Sequence, residues 1–252
     1  MFPDTSISMR IVIWYSCGVT SAVVSKMVLD EYRDSGISII IAYCDTSSEH
    51  PDNKRFLKDC EDWFDYPVTI LHSSKYDDIW DVYNKTKYIA GINGARCSLE
   101  LKKRVRQEFE DVENDIQVFG FDSSEQKRAK KFKENNPEVI FSAPLIEWNI
   151  SKSDCIKIIQ DAGIEVPVMY KLGYKNNNCI GCCKGAKGYW NKIRIDFPDV
   201  FERMAKAERE LGATLNIMNI NGKRNRVHLD ELPLNAGNYK SELPISCGLL
   251  CE

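Results

Sequence analysis

No apolar run in the 252 residues comes near the roughly 18 to 20 needed to span a bilayer, and the longest, residues 37–43, is short and interrupted. The opening MFPDTSISMR lacks the basic patch and apolar stretch of a secretory leader, so a cytoplasmic protein without membrane segments is expected. A dominant charge is missing too: 34 Lys and Arg stand against 37 Asp and Glu, a formal charge of -3 that exerts no overall pull on nucleic acid or anionic lipid. Histidine is scarce. His50, His72 and His228 lie far apart, and no serine, histidine, aspartate order suggests a catalytic triad. Repeats and low-complexity tracts are absent, and 43% hydrophobic residues with 10% aromatics exclude a disordered or collagen-like chain. What the chain does hold is ten cysteines. In a reducing compartment these serve as thiols, metal ligands or redox centres more often than as structural disulfides.

Residues 10–15 (RIVIWY) form a β-branched and aromatic run that stops at Ser16-Cys17-Gly18, and over 20–32 the apolar Val23, Val24, Met27, Val28 and Tyr32 recur at helical spacing. This reads as strand, small-residue loop, helix. Residues 37–43 predict a second strand, 51–64 a second helix, and 68–71, 116–120 and 139–142 three more strands, with helical patterns at 76–83 and 99–109. Such alternation predicts an α/β fold, a doubly wound and mainly parallel five-stranded sheet that binds ligands at the carboxyl ends of its strands. The texture changes near Trp148. Helices are expected over 151–162 and 189–211, the latter with Pro198 at a break or first turn, and the tail from Gly212 reads as loop. The expected domains are 1–147 and a cysteine-rich, mainly helical region, 148–252, closing over the site.

Ser16-Cys17-Gly18-Val19-Thr20-Ser21 leaves a strand and opens a helix, where backbone N–H groups and the helix dipole hold anions. Gly18 permits close approach, and the hydroxyls of Ser16, Thr20 and Ser21 add donors. The Gly-Lys-Ser/Thr ending of a Walker loop is absent. After the next strand, Asp45-Thr46-Ser47-Ser48-Glu49 offers carboxylates and hydroxyls to Mg2+ or a ribose, or equally a helix N-cap at Ser47 or Ser48. Cations gather at Lys102, Lys103, Arg104 and Arg106 and again at Lys127, Arg128, Lys130, Lys131 and Lys133. Each cluster alone reads as a solvated helix face.

Together these motifs carry a resemblance. Ser16-x-Gly18-x-x-Ser21 resembles the PP-loop of the ATP-pyrophosphatase and adenine nucleotide alpha-hydrolase superfamily. Asp45-Thr46 with Glu49-His50-Pro51 and Arg55-Phe56, Cys97 followed by Leu101-Lys102, and Gly120-Phe121 followed by Glu125 and Arg128 are similar to segments of its phosphoadenosine phosphosulfate (PAPS) reductase branch, in the same order over about 10–210. Residues 178–190 are similar to a segment of bacterial and phage-encoded PAPS-reductase-like proteins. Cys17 and Thr20 stand where the PP-loop usually has Gly and Asp, and Asp122 where the branch usually has Arg. The resemblance implies that Ser16, Gly18, Thr20, Ser21, Asp45, Thr46 and Glu49 hold an adenine nucleotide, PAPS, adenylyl sulfate (APS) or ATP, with Mg2+. It implies that Lys102 and Arg128 reach its phosphate or sulfate groups, and that 1–147 is the nucleotide domain.

Cys179-x-x-Cys182 lets both sulfurs face one tetrahedral metal at about 2.3 Å, and Cys247-x-x-x-Cys251 is a second spaced pair. Zinc or an iron-sulfur cluster at Cys179, Cys182, Cys247 and Cys251 is expected, with Cys183 able to replace a partner of the first pair. Cys44, Cys60 and Cys155 read as buried apolar residues. Cys247-Gly248-Leu249 resembles the tail of assimilatory sulfonucleotide reductases, whose cysteine attacks the substrate sulfur. Cys97 with Cys179 and Cys182 is similar to three of the four cluster ligands of APS reductases. Cys247 is thus ligand or nucleophile, with Cys251 close by favouring ligand. The catalytic candidates are Cys247, Cys97 and Lys102.

Lys184, Lys187, Lys192 and Arg194 with Tyr189 and Trp190 read either as a helix over two core aromatics or as a stacking surface for nucleic acid. Three functions stay open: an oxidoreductase or sulfurtransferase of sulfur metabolism, an ATP-dependent enzyme thiolating a nucleic-acid base, and a nucleotide sensor without turnover. Expected partners are the nucleotide substrate and a thioredoxin-like reductant or sulfur donor, with nucleic acid and a homo-oligomer left open.

Overall fold

Val12 and Ile13 in the first strand, like Ile41 and Ala42 in the second, have no exposed surface, so these strands carry apolar residues on both faces instead of alternating. The computed structural model describes residues 9–91 and 94–246. In chain order the elements begin with β1 (Arg10–Tyr15), α1 (Val19–Tyr32), β2 (Ser38–Cys44), α2 (Asn53–Phe64), β3 (Val68–Leu71) and α3 (Ile79–Thr86). There follow β4 (Ala90–Gly91), β5 (Gly94–Ala95), α4 (Arg96–Ser98), a π turn at Leu99–Lys103, α5 (Arg104–Phe109), β6 (Asp115–Phe119), α6 (Gln126–Asn135) and β7 (Ile140–Ser142). The chain continues through α7 (Pro144–Glu147), α8 (Lys152–Asp161), α9 (Val168–Lys171), α10 (Lys187–Asp196), α11 (Pro198–Leu211), β8 (Asn216–Ile220) and β9 (Lys223–Val227).

These elements fall into two compact units. The first comprises residues up to Asp45, Pro51–Leu71 and Arg106–Gly173. Its sheet is wholly parallel in the order β3-β2-β1-β6-β7, so the five-stranded α/β expectation holds. Chain order reverses at β1, whose neighbours are β2 on one side and β6 on the other. The crevice at the carboxyl ends of β1 and β6 is where such sheets bind ligands. Val23, Val24, Val28 and Leu29 of α1 join Cys155 and Ile159 of α8 in the core against the sheet. Burial pushes the Cys60 and Cys155 thiols up to about 12, so about one in 10⁴ is ionised at pH 8. Maleimide mass-tagging of the native protein at that pH should leave both unmodified until denaturant is added; fast native labelling of either would contradict this packing.

The second unit comprises Thr46–His50, His72–Val105 and the residues from Tyr174 onward. Pro198 opens α11, as its fixed φ and missing N–H suit a first helical turn. Tyr189 and Trp190 are buried, which selects the core-aromatic reading of α10 over the stacking surface. Two expectations are corrected. The tail after Gly212 is not loop alone, because β8 and β9 pair antiparallel as a ribbon. The cluster around residue 102 is not a solvated face, because Lys102 and Arg106 are buried. The second cluster does face solvent, with Lys127, Lys130, Lys131 and Lys133 exposed. Among the described residues no helix is long and apolar enough to cross a membrane.

Candidate functional site

In the first unit, α1 starts at Gly18, an extended residue that supplies no side-chain cap, and its first turn holds no acidic residue. Its first-turn amides point outward at the positive end of the dipole, the arrangement that receives an anion. Ser21 braces the turn: its hydroxyl donates to the Gly18 carbonyl at 2.9 Å and accepts from Ser16 N at 3.0 Å and Ser16 Oγ at 3.1 Å. Cys17 is held at φ 52, a left-handed conformation that costs a non-glycine residue about 1 kcal/mol. Thr20 is half-buried and sets its hydroxyl beside the amides, while the exposed Ser16 spends its hydroxyl proton on Ser21.

Asp45 follows directly on β2, its N–H donating to the Leu71 carbonyl at 3.0 Å. Arg128 lies on α6, paired with Glu125 at 2.6 Å and 5.1 Å from the centroid of Phe121. Sequence reasoning missed two residues here. A Cβ on Gly18 would lie 3.5 Å from Tyr170 Oη, and Lys152 Nζ sits 5.2 Å from the Tyr170 ring centroid. Burial lowers the Lys152 pKa, while Asp122 and Glu125 pull it back up. No spacing rule links residues 18, 152 and 170.

In the second unit the loop after β2 and the cysteine turn meet. Ile180 N donates to the Ser48 carbonyl at 3.0 Å, and Thr46 Oγ1 shares a hydrogen bond with Cys179 Sγ at 3.1 Å. Glu49 forms an ion pair with Lys102 at 3.3 Å, both side chains below a tenth exposed, so two residues assigned to the nucleotide face each other. Gly181 takes φ 74, and a Cβ there would fall 2.5 Å from Val200 Cγ1. Tyr189 Oη accepts from Cys182 N at 2.9 Å and donates to the Cys179 carbonyl at 3.4 Å, fixing the turn.

Tyr83, buried on α3, donates to Cys97 Sγ at 3.4 Å, and the buried Cys183 thiol hydrogen-bonds the same sulfur. Burial and the Cys97 sulfur push Tyr83 up, and the Cys97 hydrogen bond and burial push Cys183 up. Tyr83 hydrogen-bonds both sulfurs, so Tyr83, Cys97 and Cys183 form one largely buried, mutually hydrogen-bonded group. Tyr83 carried no sequence signal, lying 14 positions from Cys97 and a hundred from Cys183. Cys247 and Cys251 lie outside the described residues. Among the described residues no three His, Cys, Asp or Glu side chains converge to hold a metal ion.

A parallel α/β sheet with an uncapped helix start at its topological switch point defines an α/β protein built to receive an anionic ligand. The model of the phosphoadenosine phosphosulfate reductase domain matches residues 10–187, and the chain belongs to that family. No curated protein matches the chain.

Proposed function

We propose that the chain reduces a sulfonucleotide, PAPS or APS, in sulfur metabolism, with Cys97 as nucleophile and Cys183 as the resolving thiol. The observation that carries this reading is the hydrogen bonding of Tyr83 and Cys183 to one sulfur, Cys97. The Cys97 thiolate attacks the sulfonyl sulfur, the sulfur–oxygen bond breaks, and the nucleotide leaves with its phosphate oxygen anionic. A thiosulfonate remains on Cys97. Cys183, giving its proton to solvent, attacks Cys97 Sγ; sulfite leaves with the bonding pair and a Cys97–Cys183 disulfide forms. An external dithiol of the thioredoxin class restores both thiols, supplying the two electrons that reduce sulfate to sulfite.

Sulfite release from PAPS or APS with thioredoxin, measured on the full chain, tests this. Cys97→Ser should lower turnover at least about 100-fold. Cys183→Ser should trap a sulfonate on Cys97, visible by intact mass, and Cys247→Ser should retain turnover. Tyr83→Phe should move the pH midpoint of Cys97 alkylation upward. Loss of activity in Cys247→Ser with Cys97→Ser unaffected would transfer the nucleophile to the tail. Pyrophosphate or AMP release from ATP only with RNA or DNA present would replace reduction with base thiolation.

A further inference from the structure

The chain as a whole is acidic, yet residues 212–229 contain Lys223, Arg224 and Arg226 and no Asp or Glu. These three cations sit on β9, exposed, and among the described residues no ion pair engages them. The nearest acids in sequence, Asp230 and Glu231, are neutralised by Arg209 at 2.8 and 2.7 Å. The ribbon is therefore a concentrated positive feature on a chain of net charge -3.

Its shape is equally defined. Asn221 and Gly222 both take positive φ, 52 and 77, as a two-residue type I′ turn requires. Register pairs Ile217 with Arg226 and Asn219 with Arg224. Because side chains alternate along a strand, those four residues share one face. All four are exposed, Ile217 by 44%. Two guanidiniums, an amide and an aliphatic side chain are the donors and apolar contact that read base edges: arginine on guanine, asparagine on adenine, a methyl-bearing chain on thymine. Five residues per strand give a ribbon about 17 Å long with strands about 4.8 Å apart, which a major groove about 12 Å wide admits.

We propose that the β8–β9 ribbon is a duplex-DNA-binding element that enters the major groove with its Ile217, Asn219, Arg224 and Arg226 face, Lys223 contacting phosphate beside the tip. This interaction goes beyond sulfonucleotide chemistry and stands on the ribbon alone.

Anisotropy of a labelled 24-base-pair DNA duplex, titrated with the full chain without nucleotide between about 50 and 200 mM KCl, tests it. The wild type should bind with affinity falling steeply in salt. Lys223→Ala/Arg224→Ala/Arg226→Ala should bind at least about tenfold more weakly at 100 mM and flatten the log–log salt slope by at least about 1, the phosphate-equivalent of Lys223. Its circular dichroism and its nucleotide titration should match the wild type, since the three side chains touch neither core nor turn. Absence of duplex binding by the wild type would overturn the proposal, as would an unchanged slope in the variant. Stronger binding of a single strand or an RNA duplex of the same sequence would overturn the groove assignment.

Discussion

Gly120→Ala should weaken adenine-nucleotide binding more than about tenfold while leaving a folded but less stable protein. Gly120 follows β6 and faces the first turn of α1. A Cβ built there lies 2.9 Å from both Ser21 Cα and Ser21 N, and 3.1 Å from Thr20 C. Those are backbone atoms, so no side chain can rotate aside. Either β6 or the start of α1 must move by several tenths of an ångström, and the cost is that of overpacking a close-fitting core, about 1–3 kcal/mol. Displacing α1 misaims the amides of Val19, Thr20 and Ser21 together, which a nucleotide's phosphates would sense at hydrogen-bond range. Affinity should fall more than about tenfold, equal to 1.4 kcal/mol, in a calorimetric titration with the wild type as reference. Denaturant unfolding should show a lower midpoint and an unchanged slope. Wild-type affinity in Gly120→Ala would mean that the nucleotide does not use this turn.

The parts of this architecture that were legible in the sequence are those where burial imposes residue type. RIVIWY, IIIAYC and VTIL read as strands because a parallel sheet covered on both faces selects β-branched and aromatic residues, and small residues mark where each ends. The β8–β9 ribbon escaped because β9 is largely exposed and polar, and β8, though it carries Ile217, Met218 and Ile220, shows no clean alternation of apolar and polar residues. Asn221-Gly222 has the residue types of a hairpin turn, but the reading of the tail as loop took no account of it. At the site, Ser16, Gly18 and Thr20 were readable from the strand–loop–helix pattern, whereas the bracing role of Ser21 depends on a rotamer that no spacing encodes. Lys102 was read as a phosphate ligand from its motif. Its partner Glu49 is 53 positions away, a distance across which sequence pattern carries no pairing information. The Tyr83, Cys97 and Cys183 group is likewise assembled from three elements by tertiary folding.

Glu208→Ala should be the most destabilising single change in the second unit, by roughly 2–5 kcal/mol, a large share of the about 5–15 kcal/mol that holds a domain folded. Glu208 on α11 has no exposed surface, and its two oxygens accept from Leu215 N at 2.5 Å and Leu229 N at 2.6 Å. Those amides flank the ribbon, one before β8 and one after β9, so a single carboxylate ties both of its legs to the helix. Alanine strands two amides, and Leu229 itself is fully buried, so water cannot readily replace the lost acceptors. Glu208→Gln keeps the shape but turns an NH2 group toward one of the donors, and should cost an intermediate amount.

The titration gives a second readout. Burial raises the Glu208 pKa above its ordinary 4.5, opposed by the two amide bonds and by His228, whose Nδ1 lies 3.9 Å away. A raised carboxyl pKa means that the protonated form is favoured on folding. Its contribution is complete below 4.5 and is lost as pH rises through the folded value. Glutamine cannot titrate, so the stability advantage of wild type over Glu208→Gln should shrink as pH rises from about 4 to 7 in paired urea titrations. A constant difference would show that the carboxylate meets no net desolvation there, and Glu208→Ala within about 0.5 kcal/mol of wild type would remove it as the anchor of the ribbon. Exchange of the Leu215 and Leu229 amides, slow in wild type and fast in Glu208→Ala at temperatures well below unfolding, separates loss of that anchor from global instability.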